Sequence, residues 1–195
     1  MKKQKHFLQR ATIALTFLVA FLVMSGCDGH SQEKNKTASP TKVKPPEMDI
    51  HTAVLTGNMD ALKQHIAAGS NLNEKDPMGG SSPLISAALF GKTAMAKALI
   101  DAGANLNFQN NDGSTALITA AFFCRPEIVQ MLLNKGADKT IKNKYGSTAY
   151  ESVSGSFNDA KGVYENLGRM LAPMGLKLDY AYIEKTRPEI AAMLK

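Results

Sequence analysis

The stretch Gly103-Ala104-Asn105-Leu106-Asn107 decides the fold, because related pentapeptides begin at Gly69 and at Gly136, almost equally far before and after it. The earlier copy is Gly69-Ser70-Asn71-Leu72-Asn73, and the later copy is Gly136-Ala137-Asp138-Lys139-Thr140. Self-similarity at a nearly constant step of this size indicates stacked units, none of which buries its apolar face alone. A stack of this kind presents an extended surface, which is typical of binding.

Two apolar blocks precede each pentapeptide and predict a pair of short helices. Pro83 opens the first block of the second copy, and Pro126 opens the second block of the third copy. Proline suits the first turn of a helix, where its missing N–H costs no hydrogen bond. The glycine that begins each pentapeptide follows the second block, where a helix commonly ends in a left-handed residue.

Small residues and polar turns complete each unit. The adjacent pairs Ala87-Ala88 and Ala120-Ala121 lie in the predicted first helices. They allow neighbouring helices to approach closely, whereas larger side chains would wedge the stack apart. The stretches Asn110-Asn111-Asp112-Gly113 and Lys144-Tyr145-Gly146 predict tight turns at the tips of β-fingers between units.

This pattern resembles the ankyrin repeat, which reads T-P-L-H-x-A-A-x-x-G and then V-x-x-L-L-x-x-G-A-d-v-N. Ser82-Pro83-Leu84 and Thr115-Ala116-Leu117 match T-P-L, and Ile50-His51-Thr52-Ala53 matches L-H-x-A. Cys124 departs from the family by standing at the inter-helix glycine position of the third copy. The resemblance implies an all-α ankyrin-repeat solenoid of about four helix-pair repeats, with short β-finger turns and a C-terminal capping helix.

The same pattern divides the folded part of the chain, expected at residues 48–195. The finger of the first unit, between Asp76 and Pro83, holds one extra residue. Near the end, Arg187-Pro188-Glu189 echoes Arg125-Pro126-Glu127, a little less than two repeat steps later. The expected segments are repeats near 49–73, 74–107 and 108–140, a divergent fourth repeat at 141–179, and a cap at 180–195.

The N-terminus predicts export and lipid attachment. Residues 1–10 contain four basic side chains, residues 11–24 carry no charge, and Ser25-Gly26-Cys27 follows. A basic, then apolar, then small-residue order is typical of a secretion signal, here residues 1–26. The ending resembles a bacterial lipobox, which implies that Cys27 carries two or three acyl chains at the mature N-terminus, enough for stable membrane anchoring. The alternatives are an ordinary cleaved signal, or a membrane helix with an incidental cysteine.

Residues 27–47 join this anchor to the repeats. Their Lys, Ser, Thr, Pro and Asn content predicts a mobile tether that cannot bury enough apolar surface to order itself. Asp28 resembles the signal that retains enteric lipoproteins in the inner membrane, so we expect a periplasm-facing protein there. Of 23 basic residues the signal holds four, which leaves 19 against 17 acidic ones and makes a nucleic-acid partner an unfavoured reading.

Residues suited to catalysis or metal binding are scarce. Within the expected repeats the histidines are His51 and His65, whose spacing does not suit a metal site, and His51 fills the histidine slot of the family. Gly91-Lys92-Thr93 resembles the end of a phosphate loop but falls in an inter-helix turn. The sequence therefore predicts no enzymatic activity, no metal and no cofactor.

Cys124 is the residue for which chemistry competes with packing. With Cys27 consumed by lipid, it would be an unpaired thiol in an oxidising compartment. Arg125 and the following helix N-terminus favour a lowered thiol pKa and a redox role. A buried small side chain at a turn is the competing and favoured interpretation.

The candidate binding surface is apolar. By the resemblance, the two residues that follow the paired alanines line the concave groove, and the finger tips line the same groove. Aligned apolar groups on an exposed face are typical of protein-binding sites. The predicted partner-binding residues are Leu55, Met78, Leu89, Phe90, Asn111, Asp112, Phe122, Phe123, Lys144 and Tyr145. The alternative is that one ring of each pair folds into the core between repeats.

The sequence therefore predicts a membrane-tethered, periplasmic protein that binds an unidentified protein partner through its concave groove. A second hypothesis is an immunity or protective protein that neutralises a secreted effector or assists an oxidant-defence enzyme.

Overall fold

The computed structural model describes residues 43–195, which form three helix pairs followed by a longer helical segment. The pairs are α1 (Ile50–Thr56) with α2 (Met59–Ala67), α3 (Pro83–Leu89) with α4 (Thr93–Asp101), and α5 (Ala116–Phe122) with α6 (Pro126–Asn134). The C-terminal helices are α7 (Glu151–Ser154), α8 (Phe157–Leu171) and α9 (Tyr180–Leu194), with one 3-10 turn at Ala172–Met174.

Side chains of the sequence motif fix where the first helices begin. Asp49, Ser82 and Thr115 each accept a hydrogen bond from the backbone N–H three residues later, which satisfies a donor that the helix leaves free. Pro83 and Pro126 occupy the first turn of their helices, as predicted. Each helix therefore begins where the repeated residues place it.

The pentapeptide glycines end the second helix of each pair. Gly69, Gly103 and Gly136 have φ values of 70°, 84° and 81°. A side chain at such a backbone conformation would be strained, whereas glycine adopts it freely. The recurring glycine is thus required by the turn that leads from one repeat to the next.

The helices stack in two layers. The first helices α1, α3, α5 and α7 pack in succession, and the second helices α2, α4, α6 and α9 form the other layer. The side chains of Ala87, Ala88, Ala120 and Ala121 are 0% exposed. Their small size lets the first helices of consecutive repeats pack directly against one another.

The fingers are turns, and no residue from 43 to 195 is in a β-strand. Asp76 N–H bonds to the Ser81 carbonyl, whereas the later fingers close over one residue fewer, at Asn110 to Ser114 and Asn143 to Ser147. This confirms the extra residue in the first finger. Neighbouring fingers are joined by only one backbone hydrogen bond at each junction, too few for a strand ladder.

The fourth repeat is split by an insertion. α7 packs against α5 in the layer of first helices, and α9 packs against α6 in the layer of second helices. Arg187-Pro188 follows Arg125-Pro126 by nearly two repeat steps, although α9 belongs to the very next repeat. The insertion that contains α8 accounts for the additional length. α9 therefore serves both as the second helix of the fourth repeat and as the cap. α8 lies in the insertion between α7 and α9.

None of the helices within residues 43–195 combines the length and the apolar character needed to cross a membrane.

Candidate functional site

The ends of the first helices present a row of partly exposed apolar side chains. Leu55 lies in the last turn of α1, Leu89 is the last residue of α3, and Phe90 follows it; all three are half-buried. Each side chain therefore keeps apolar surface in water at the end of a first helix. This is where the sequence predicts the concave groove.

The finger tips carry the most exposed apolar side chains of the described residues. Met78 is 72% exposed and Tyr145 is 77% exposed, and Asn111, Asp112 and Lys144 are exposed between them. All five are predicted partner-binding residues, and the structure leaves all five free to contact another molecule.

Short side chains within each finger hold the tips in place. Asp76 accepts hydrogen bonds from the backbone N–H groups of Met78 and Gly79, at 2.8 and 2.7 Å. Asn143 Oδ1 accepts from Tyr145 and Ser147, both at 3.0 Å. These side-chain oxygens accept hydrogen bonds from backbone N–H groups of the turn, and the bonds limit the conformations that the turn adopts. The exposed tip residues therefore stand on ordered turns.

The hydrogen bonds to Asp76 also explain its acidity. Partial burial raises the pKa of this carboxyl, but the backbone N–H groups of Gly79, Ser81 and Met78 stabilise the charged form and lower the pKa below its ordinary value. The carboxylate is therefore a structural acceptor that organises the first finger.

Backbone hydrogen bonds link one finger to the next. Asn111 N–H donates to the Gly79 carbonyl at 3.0 Å, and Lys144 N–H donates to the Asp112 carbonyl at 2.8 Å. The three tips are consequently fixed relative to each other, and a partner meets them as one surface.

Phe123 does not belong to this surface, contrary to the prediction. It is 6% exposed, and its ring meets the edge of Phe122 at 5.1 Å between centroids. Phe90 holds the same position in the second repeat and stays half-buried. The difference follows from the C-terminal segment, because α7 and α9 pack against α5 and close over the end of the third repeat.

Phe122 is half-buried, and another aromatic side chain covers it. The ring of Tyr164, from α8, stacks on the Phe122 ring at 4.5 Å between centroids. Tyr164 O–H also donates to the Phe122 carbonyl at 2.6 Å. The groove residue predicted at the third repeat is therefore already in contact with the chain's own insertion.

A buried arginine completes this contact. Arg187 in α9 is 4% exposed, and its Nη1 donates to the Tyr164 hydroxyl at 2.8 Å. Its Nη2 donates to the Gly155 carbonyl at 3.0 Å. Arg187 thus joins α9, the end of α7 and α8 through hydrogen bonds to neutral groups. No role for Tyr164 or Arg187 was predicted from the sequence. The likeness of Arg187-Pro188 to Arg125-Pro126 was a signal that could have drawn attention to Arg187.

Cys124 is a buried thiol in a strained backbone position. Its φ of 53° is left-handed, as expected at the inter-helix glycine position, and its exposed fraction is 1%. The thiol donates to the Ile183 carbonyl at a distance of 3.7 Å. Burial raises the pKa of Cys124 to about 11, outweighing the lowering effect of Arg187 and Arg125. These features support the packing interpretation over the redox one.

Two other expectations concern metal binding and the N-terminus. Within residues 43–195 no group of three or more His, Cys, Asp or Glu side chains could hold a metal ion. His51 has both ring nitrogens buried without a hydrogen-bond partner in this part of the chain. Cys27 and Asp28 lie outside the described residues.

Comparison with known proteins identifies the repeats. Residues 50–143 match the family model described as "Ankyrin repeats (3 copies)". The human DNA-binding protein RFXANK is 36% identical over 58 residues, which are 30% of this chain and 22% of that protein. The predicted ankyrin-repeat fold is thereby confirmed for the matched repeats.

A solved structure gives the same result. The ankyrin repeat domain of Bcl-3, a member of the IkappaB protein family, aligns with a TM-score of 0.51 and 31% identity. The alignment covers 53% of this chain and 45% of that domain. The chain thus spans less than half of either relative, and the likeness concerns the repeats.

Proposed function

We propose, from the premise that residues 50–143 form ankyrin repeats, that this protein binds another protein through its concave groove while a lipid at Cys27 tethers it to a bacterial membrane. Ankyrin repeats are in general interaction scaffolds without enzymatic activity, and no catalytic role is proposed here.

One observation carries the binding proposal. Half-buried Leu55, Leu89 and Phe90 stand at the ends of two first helices, and the finger-tip residues Met78 and Tyr145 are the most exposed large apolar side chains of the described residues. Ordered turns hold these tips, so little conformational entropy is lost when they meet a partner. Aromatic and methionine side chains are enriched in the buried centres of protein interfaces.

Alanine variants of the groove and the tips test this proposal. A partner recovered from envelope extract and then purified should bind Phe90→Ala or Tyr145→Ala more weakly by about 1–4 kcal/mol for whichever residue is a central anchor. Calorimetric titration measures the loss. Circular dichroism confirms that each variant is folded.

The chain supplies matched controls outside the groove. Lys185→Ala pairs with Lys144→Ala, because Lys185 is exposed on α9, and Tyr182→Ala pairs with Tyr145→Ala, because Tyr182 is 43% exposed on α9. We expect the control variants to bind like the unaltered protein. Equal losses in both sets, or none in the groove set, would place the interface elsewhere.

The tether and the periplasmic location rest on the N-terminal sequence. A fatty-acid probe fed to growing bacteria should label the unaltered protein and leave Cys27→Ala unlabelled, since the acyl chains are attached to this cysteine. Separation of inner and outer membranes by density should place the labelled protein with the inner membrane, as Asp28 predicts. An unlabelled wild-type chain would rule out the lipid anchor.

A further inference from the structure

The insertion in the fourth repeat brings one helix onto the groove side of the stack. α8 and the third finger line a common cavity of about 330 Å³, to which Tyr145 and Asn143 contribute from the finger and Asp159 and Ala160 from α8. Phe122 lines the same cavity. α8 therefore lies next to the groove at the third repeat.

Tyr164 makes the deepest contact between α8 and the stack, and Phe157 and Ala160 are partly buried against the same core. Tyr164 is 0% exposed, and it is the one buried residue among the fifteen of α8. Its ring stacks on Phe122 and its hydroxyl bonds to the Phe122 carbonyl, as described above. In contrast, Val163 and Met170 are 50% and 64% exposed.

The composition of α8 weakens it as a helix. Gly162 and Gly168 lie in its interior, and each glycine costs about 1 kcal/mol of helix stability relative to alanine. At Gly162 an added Cβ would meet no atom within 4 Å, so packing does not explain the absence of a side chain there. At Gly168 an added Cβ would lie 3.1 Å from the Tyr180 hydroxyl, so Gly162 is the position at which α8 gives up helix stability without a packing reason.

α9 contacts α5, α6 and α7 in addition to α8. Arg187 also bonds to the Gly155 carbonyl, which lies outside α8, and Ile183, Ile190 and Leu194 of α9 are buried in the core cluster. If the Tyr164 contacts break, α8 can therefore separate from the stack while α7 and α9 of the fourth repeat stay packed.

We propose that α8 is a displaceable lid over the third-repeat end of the groove, latched by Tyr164, and that its opening uncovers Phe122 and the Phe122 carbonyl. The group that fits the uncovered place is an aromatic side chain with a hydroxyl, because Tyr164 itself occupies it. The lid extends the proposed binding function by assigning part of the groove to an intramolecular occupant.

Hydrogen exchange of the full-length chain, read by mass spectrometry, tests the lid without any partner. Amides of α8 should exchange at least tenfold faster than those of α3 and α5, because local opening precedes global unfolding. Tyr164→Phe should speed α8 exchange roughly tenfold, since it removes the hydroxyl and leaves buried polar groups unpaired. Gly162→Ala should slow it about fivefold through helix propensity.

The exchange of the remaining helices decides the outcome. The lid predicts that α3 keeps its rate in both variants, and that α5 and α9, which hold the partners of the Tyr164 hydroxyl, change much less than α8. Equal acceleration of α5, α9 and α8 in Tyr164→Phe would show that Tyr164 is an ordinary core residue and overturn the proposal. Exchange in α8 as slow as in α5 would overturn it as well. Neither result bears on whether the groove binds a partner, so the two proposals fail separately.

Discussion

Cys124 shows how one residue serves backbone geometry and packing together. The corresponding turn positions of the first two repeats are Gly57 and Gly91, with φ values of 76° and 64°. Cys124 has a side chain at a φ of 53°, and this left-handed backbone conformation costs about 1 kcal/mol relative to the right-handed one. In return the side chain fills space beneath Ile183 of α9, where glycine would leave a void.

Burial of this thiol predicts a pH dependence of stability. The pKa of Cys124 is about 11 in the folded protein against an ordinary 9.0. Because the folded pKa is the higher one, the stabilisation is complete below pH 9 and is lost as pH rises from about 9 to about 11. The loss is at most about 1.4 kcal/mol per pH unit.

The unfolding free energy of wild type and of Cys124→Ala, measured in urea from pH 8 to pH 10, isolates this contribution. Lysine titration is common to both proteins and cancels in the difference. We expect wild type to lose its advantage over the variant above pH 9. Tyr164 is also common to both proteins, and because burial raises its pKa from 10.0 to about 12, its contribution to stability changes mainly above pH 10. A difference that stays constant with pH would contradict the buried neutral thiol.

Phe122 and Phe123 mark the limit of residue-level prediction. Both follow the paired alanines, and the sequence predicts both in the groove. Adjacent helical residues point about 100° apart, so one neighbour is buried when the other faces the groove. The choice between them depends on α7, α8 and α9, which lie far along the chain.

At the level of elements, the repeats were predictable because the same interactions recur in register. Proline indicates the first turn of a helix, glycine indicates a left-handed residue after a helix, and paired alanines indicate close helix contact. The structure has each feature where the sequence predicts it. α8 has an apolar stripe at Phe157, Ala160, Tyr164, Leu167 and Leu171, which predicts an amphipathic helix. The stripe does not say which surface it meets, because that contact joins distant parts of the chain.

The close packing of α3 on α5 predicts intolerance of larger side chains. Ala87→Leu and Ala120→Leu should each lower the free energy of unfolding by about 1–3 kcal/mol, because both positions are fully buried and the backbone must shift to admit the larger side chain. Denaturant unfolding followed by circular dichroism measures the change.

Lys97→Ala is the control for these variants. Lys97 is exposed and pairs with Asp101 one turn later on the same helix, a contact worth a few tenths of a kcal/mol. Its unfolding midpoint should stay close to that of wild type. Leucine variants as stable as this control would mean that the helix faces are assigned wrongly.

At the scale of the whole molecule, a solenoid must close its ends. Each repeat covers its neighbour, so the last one leaves an apolar face unless something caps it. α9 covers the end of this stack: it buries Ile183, Ile190 and Leu194, and it lies against both α5 and α6. The split fourth repeat thus places the cap at the far end of the insertion, beyond the lid.

A chain that ends at residue 179 tests the cap, since it loses α9 and uncovers the third repeat. In a Cys27→Ala background, where Cys124 is the remaining cysteine, we expect a lower melting temperature, self-association by light scattering, and reaction of Cys124 with a thiol reagent before global unfolding. A chain that lacks only the exposed Lys195 should behave like the full-length protein. Burial keeps the thiol neutral and out of reach of the reagent, and α9 supplies the carbonyl that the thiol contacts. If the shortened chain stayed monomeric with an unreactive Cys124, the third repeat would be closed by its own side chains and α9 would not be the cap.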